Sequence, residues 1–234
     1  MASESGPKFV TDGLVLCLDA ANPRSYISGA TVWNDLTYNI SGGTLTNGPT
    51  FSSTNGGSIV FDGVDDYVDC GTSVTSTIRN QTQFTLNFWF KKFSSNNDFN
   101  LGAFDDSIQK GFFIQWFADN NVYFGVMNEV RAYNYVGLPY NTGWFNFTFV
   151  FDGTLAGSTN KAKLYINSNQ QSLSNSGTIG STVPSNVIPL TLGKLTNYSS
   201  IGKGNLSIVQ LYNRALSDAE VLQNYNSTKS RFGL

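Results

Sequence analysis

The sequence has no histidine and only three glutamates, Glu4, Glu129 and Glu220. The missing imidazole excludes a Ser-His-Asp triad, a Cys-His nucleophile pair and any histidine-ligated metal site. Charge is sparse too: 13% of residues carry it, 14 cations against 16 acids, for a net of -2. The scattered lysines and arginines form no stripe able to neutralise a nucleic-acid backbone, so no nucleic-acid partner is expected. No apolar run approaches the roughly 18 residues that cross a bilayer as a helix, so no membrane partner is expected either. The opening Met1-Ala2-Ser3-Glu4-Ser5-Gly6-Pro7 has neither a basic start nor an apolar stretch. Residues 1–8 therefore read as an N-terminal tail rather than a secretory signal.

Cysteine is nearly absent. Cys17 lies in the apolar run Leu14-Val15-Leu16-Cys17-Leu18, and Cys70 closes Tyr67-Val68-Asp69-Cys70. Both look like strand positions. Two buried free thiols are preferred over a disulfide, because a domain of this size does not need a covalent staple.

What the chain does have is 40% hydrophobic residues and 14% aromatics, set among abundant Asn, Ser, Thr and Gly. That is enough to bury a core, and the mixture belongs to a β-rich, turn-rich protein with a neutral polar surface. Phe84, Leu86, Phe88 and Phe90 share one face of an extended run, as do Phe145, Phe147, Phe149 and Phe151. Hairpins are expected around Asp62-Gly63, between residues 111–117 and 121–127, and at Ser168-Asn169. Strands apolar on one face and polar on the other predict an all-β, two-sheet antiparallel sandwich. The one clear helix signal is late: Ser217-Asp218-Ala219-Glu220 is a capping box, followed by Val221, Leu222 and Tyr225. No linker divides the chain, so residues 9–234 read as a single domain.

Three groups of residues are candidates for chemistry. Asp62, Asp65, Asp66 and Asp69 form the densest charge. Calcium, which prefers hard oxygen ligands, would neutralise them, while the plainer alternative has Asp62 serving only its turn. Asp98, Asp105 and Asp106 mark a second oxygen-rich loop, and Asp19 and Asp35 are placed to join either cluster. Tyr133, Tyr135, Tyr140 and Trp144 crowd one segment, with Trp33 and Tyr198 also in loop-like contexts. Rings beside amides and carboxylates can stack on sugar faces, or can close the ends of the sandwich. A hydrolase would need two carboxylates across a cleft. Glu129 is the one glutamate in a plausible place, and Arg131 beside it would depress rather than raise its pKa.

In order along the chain, Gly13-Leu14-Val15-Leu16-Cys17-Leu18-Asp19-Ala20, Trp33-Asn34-Asp35-Leu36, and Phe61-Asp62-Gly63-Val64-Asp65-Asp66-Tyr67-Val68 resemble a known pattern. With Phe84–Lys91, Trp144–Gly153, Leu190–Gly193 and the Leu206–Ser217 tail, it resembles the laminin-G-like branch of the concanavalin A-like lectin/glucanase superfamily. The resemblance implies a jelly roll whose loops and one face contact glycans or proteins, with a rim calcium that Asp62, Asp65 and Asp66 would hold. The Glu-x-Asp-x-Glu strand of the glucanase relatives is missing, so a non-catalytic protein is expected. The opening segment is similar to stand-alone domains of tailed-phage structural proteins. It implies a virion-surface adhesion or decoration domain, synthesised in the host cytoplasm, binding host-surface carbohydrate weakly in many copies. Trp33, Tyr133, Tyr135 and Tyr198 are the expected sugar-binding residues. The alternatives are a structural protein that docks only to other virion subunits and, third, a polysaccharide-acting enzyme.

Overall fold

The computed structural model describes residues 8–39, 42–92, 99–116, 121–128, 133–137 and 143–234. The expected sandwich is there, as two antiparallel sheets. The first has eight strands. Their order is β14 (Asn169–Gln170), β13 (Ala162–Ile166), β12 (Trp144–Asp152), β7 (Gln83–Lys92), β17 (Lys203–Tyr212), β5 (Ser58–Asp62) and β4 (Thr50–Ser52). Its eighth strand, β1 (Leu14–Asp19), pairs with the second half of β17. The second sheet runs β15 (Ser174–Ser176), β11 (Tyr133–Gly137), β10 (Asn121–Asn128), β9 (Lys110–Trp116) and β8 (Phe99–Asp105). It continues through β16 (Thr191–Leu192), β6 (Tyr67–Asp69), β3 (Gly43–Thr46) and β2 (Val32–Trp33). Among the described residues there are two α-helices, a single turn α1 (Ser158–Lys161) and the expected C-terminal α2 (Asp218–Thr228), besides three short 3-10 turns.

Alternation builds the core between the sheets. Phe84, Leu86, Phe88 and Phe90 of β7 and Phe147, Phe149 and Phe151 of β12 meet Phe112, Ile114 and Trp116 of β9 and Phe124 of β10. The rings engage across the layers: Phe84 lies 4.6 Å from Phe112, and Phe149 lies 5.4 Å from Phe124. Each such side chain contributes roughly 1.5–3 kcal/mol by leaving water. The hairpin from β13 to β14 forms, but its turn is Asn167-Ser168 at φ 48° and 64°, one residue before the expected Ser168-Asn169, because Asn169 already pairs with Ile166. The β9–β10 hairpin is present, with its expected turn at Asp119-Asn120 outside the described residues.

Two further expectations need correction. The residues flanking Asp62-Gly63 do not form a hairpin. β5 pairs with β17 and β4 in the first sheet, while β6 pairs with β16 and β3 in the second. The turn therefore carries the chain across the rim from one sheet to the other. Local alternation marks both strands but does not choose their partners. The other correction concerns the outer face of the eight-stranded sheet, which is covered rather than open to water. Trp89 stacks on Phe232 at 4.0 Å, and Tyr212 packs with Val10, Leu216 and Val221. Beneath this cover Asn87 donates to Gln210 at 2.8 Å and accepts from Asn146 and Thr148 at 2.9 and 2.8 Å. These amides look surface-like in sequence, and it is this mutual bonding that lets them be buried here.

The Ser217 capping box forms as expected, with Ser217 Oγ accepting from the Glu220 N–H and Glu220 accepting from the Ser217 N–H. Cys17 and Cys70 are free and buried, one in each sheet's half of the sandwich. Burial pushes the Cys17 thiol up to about 12 and the Cys70 thiol higher still.

Candidate functional site

Two features stand apart from the packing already described. The first lies on the outer face of the nine-stranded sheet. Residues of β8–β11 that point away from the core alternate with those that build it. Register sets Asn100 of β8 opposite Gln115 of β9, Gln115 opposite Tyr123 of β10, and Tyr123 opposite Tyr135 of β11. Tyr123 stacks on Tyr135 at 5.5 Å and meets Tyr133 edge-on at 5.2 Å. Beside them on the same face Phe104, Phe113 and Met127, with Leu195, form an apolar cluster against which Tyr123, Tyr133 and Tyr198 pack. The segment after β16 supplies Leu195 and Tyr198 and is tied back to the sheet. The Thr196 N–H donates to Phe104 O at 3.0 Å, and Asn197 Nδ2 donates to Asp105 at 2.9 Å.

Three of the four sugar-binding residues expected from sequence, Tyr133, Tyr135 and Tyr198, thus belong to one half-buried aromatic face. Trp33 does not. It is 0% exposed in the core, inside the two-residue strand β2, and has no ring face left for a ligand. Trp144 is also interior, its ring tilted against Phe232 at 4.9 Å and its Nε1 donating to Asn55 at 3.0 Å. Tyr140 lies outside the described residues. Sequence reading missed Tyr123, whose place between Val122 and Phe124 marks it by alternation as outward-facing; its stacking partner depends on register.

The second feature is the rim crossover after β5. Carboxylate oxygens of Asp62, Asp65 and Asp66 lie within 4.8 Å of one another. Asp62 and Asp65 are exposed and Asp66 is buried. Asp66 accepts from the Asp62 N–H at 2.9 Å, and Asp62 in turn accepts from the Val64 N–H at 2.8 Å. Asn47 donates to Asp65 O at 3.0 Å. Burial first, then the neighbouring Asp62 and Asp65 charges, raises the Asp66 carboxyl above its ordinary value. Ligands on opposite sides of a calcium ion lie up to about 5 Å apart, so an all-oxygen set this close fits that ion.

The remaining acids do other work. Asp19 pairs with Arg231 at 2.7 Å, and buried Asp35 accepts from the Cys17 N–H at 2.8 Å, so neither joins a cluster. Asp105 is held below its usual range by hydrogen bonds from Asn197 and Ser107 that outweigh its partial burial, while Asp106 accepts from Gln109 at 2.7 Å. Asp98, Glu129 and Arg131 lie outside the described residues.

A family profile described as the concanavalin A-like lectin/glucanases superfamily matches residues 62–222. The chain belongs to this superfamily. Its concanavalin A-like segment begins at the acidic crossover and contains all four tyrosines of the aromatic face. No curated protein matches the chain by sequence. Solved structures share the fold at low identity. Domain 4 of an extracellular arabinanase from Geobacillus stearothermophilus, in complex with arabinotriose, matches with TM-score 0.64 and 16% identity, over 91% of this chain and 98% of that one. Trypanosoma rangeli sialidase in complex with sialic acid matches with TM-score 0.65 and 12% identity, over 99% of this chain but 35% of the sialidase. The botulinum neurotoxin type G receptor binding domain matches with TM-score 0.57 and 14% identity, over 92% of this chain and 51% of that one. At these identities the likeness is one of fold.

Proposed function

We propose that this concanavalin A-like chain is a non-catalytic carbohydrate-binding domain whose ligand lies on the outer face of the nine-stranded sheet. The observation that carries the reading is the stacked Tyr123–Tyr135 pair with Tyr133 and Tyr198 beside it on that face. Half-buried rings offer apolar faces to the C–H side of a sugar. The arabinotriose complex of one structural neighbour supports a carbohydrate as the class of ligand. Glu220 is committed to the helix cap and to an ion pair with Arg214, which supports binding without catalysis. A calcium ion held by Asp62, Asp65 and Asp66 would brace the rim crossover.

We place the domain on a virion surface, in many copies against host-surface carbohydrate and alongside other virion subunits. The sequence resemblance to phage structural proteins supports this setting. Avidity then compensates for weak single sites. A multimerised chain on a glycan array, with and without calcium, tests the reading. Retention of a glycan that Tyr123→Ala and Tyr135→Ala both lose is expected. A multimer that retains no glycan in either condition would overturn it.

A further inference from the structure

The cover over the eight-stranded sheet leaves a cavity of about 260 Å³ beside β1. Register builds its floor: Cys17 faces Gln210 and Asp19 faces Ile208 across β1 and β17, and all four line the space. The segment after β1 walls one side with Asn22, Arg24 and Tyr38. That segment is fixed by the Leu36 N–H donating to Cys17 O at 2.9 Å and the Asn34 N–H donating to Ser25 O at 2.7 Å.

The wall and floor carry polar groups with bonding capacity left over. Asp19 Oδ1 accepts from Arg231 at 2.7 Å and from the Ala21 N–H at 3.0 Å, while Oδ2 takes no hydrogen bond among the described residues. The Asp19 side chain is 25% exposed, so a ligand can reach it. Asn22 Oδ1 accepts from the Arg24 N–H at 3.0 Å, which leaves its Nδ2 to donate. Arg24 is exposed, and its guanidinium has no partner among the described residues. Tyr38 stands beside them 77% exposed at φ 60°, a left-handed conformation that an aromatic residue adopts only against strain.

These groups together select a ligand. Arg231 balances the Asp19 charge, so Arg24 leaves the cavity one positive charge in excess. The planar fork of a guanidinium matches a carboxylate, whereas a phosphate monoester would bring up to about two negative charges to that single cation. The free Asp19 oxygen calls for a hydroxyl proton and the Asn22 amide for a hydroxyl oxygen, neither of which a plain aromatic or fatty acid supplies. A cavity of about 150 Å³ accepts benzene, so this one has room for a single substituted ring. We propose that the cavity binds one uronic-acid residue, with its carboxylate on Arg24, hydroxyls on Asp19 and Asn22, and its ring against Tyr38. This is a second site, on the opposite sheet from the tyrosine face, and it does not depend on that reading.

Isothermal titration of methyl glucuronoside into the full chain tests it, with methyl glucoside and benzoate as comparisons. Saturable binding of the uronoside is expected, and about tenfold or more weaker binding of the glucoside, which lacks the carboxylate, and of benzoate, which lacks the hydroxyls. Arg24→Gln is expected to weaken the uronoside by a similar factor at unchanged Tm, since the side chain has no internal partner to lose. Tyr38→Gly is expected to weaken it too, with Tm equal to or above that of wild type, because glycine relieves the backbone. Tyr123→Ala is expected to bind the uronoside as wild type does. No saturable binding, equal binding of glucoside or benzoate, or full affinity in Arg24→Gln overturns the site. Loss in Tyr123→Ala with Arg24→Gln unaffected also overturns it, and leaves the tyrosine-face reading standing. A lowered Tm in Tyr38→Gly with binding untouched overturns the role of the ring.

Discussion

One carboxylate, Glu220, ties the first turn of the C-terminal helix to Arg214 just after β17, and removing its charge is a sharp test of the electrostatic account. Glu220 accepts from Arg214 Nη1 at 3.0 Å and Nη2 at 2.6 Å, and closes the capping box with Ser217. Arg214 first, opposed by partial burial, holds the Glu220 carboxyl down to about 2 from an ordinary 4.5. At about 1.36 kcal/mol per pKa unit this is roughly 3 kcal/mol of linkage before screening. The side chain is 28% exposed, so water and salt reduce the expectation to about 1–2 kcal/mol. The group's folded pKa is depressed, so its contribution is complete above pH 4.5 and is lost as pH falls toward 2, with roughly half or more gone by pH 3. Glu220→Gln preserves the cap geometry and removes only the charge. Thermal melts at pH 7 should put the variant about 2–8 °C below wild type, given about 2–4 °C per kcal/mol for a chain of this size. The gap should narrow below pH 4.5 and nearly close near pH 2. A gap of the same size at pH 7 and pH 3 would refute the ion-pair account.

Two further outcomes follow from the site. Trp33→Ala removes a fully buried ring from the core and should cost about 3–5 kcal/mol in denaturant unfolding, while folded variant keeps its glycan affinity. Reduced affinity with unchanged stability would return Trp33 to the binding site. Calcium in excess over chelator should raise the wild-type Tm, by about 2.7 kcal/mol of stabilisation at a hundredfold excess over Kd, and Asp66→Asn should abolish the shift. A shift that survives Asp66→Asn would place the ion elsewhere.

Much of this architecture is legible in the residues because one period controls it. The phenylalanines of β7 and β12 alternate cleanly, and burying them leaves little choice but a sandwich. The capping box is equally plain, since it needs only four consecutive residues. Features that depend on distant partners are not. Nothing within Phe61–Tyr67 states that its two ends join different sheets; that follows from β17 and β16, more than a hundred residues later. Trp33 looks exposed among Asn, Asp and turn residues, yet its short strand carries it into the core. Asn87, Asn146 and Gln210 look like surface residues because the sequence shows the C-terminal helix but not the sheet face on which it docks. The tyrosine face was half legible: Tyr133, Tyr135 and Tyr198 are conspicuous as rings, whereas Tyr123 and the Asn100–Gln115 pair emerge only from register.

The covered face of the eight-stranded sheet has a mechanical consequence. Residues near both chain ends lie on it: the Val10 N–H donates to Asn224, Gln223 donates to Lys8 O, and Phe232 lies on Trp89. β1 and β17 are antiparallel, and Leu14 faces Tyr212, so tension applied through the two ends would open that pair from one edge, rung by rung, rather than shear all its bonds together. Arg231 resists this as a clip, binding Asp19 at the far end of the opening seam together with Asn55 O and Gly57 O. The load path runs entirely through the eight-stranded sheet and its helix. A pull strong enough to peel them would reach the tyrosine face last, so a tethered copy could yield under force while still holding its ligand.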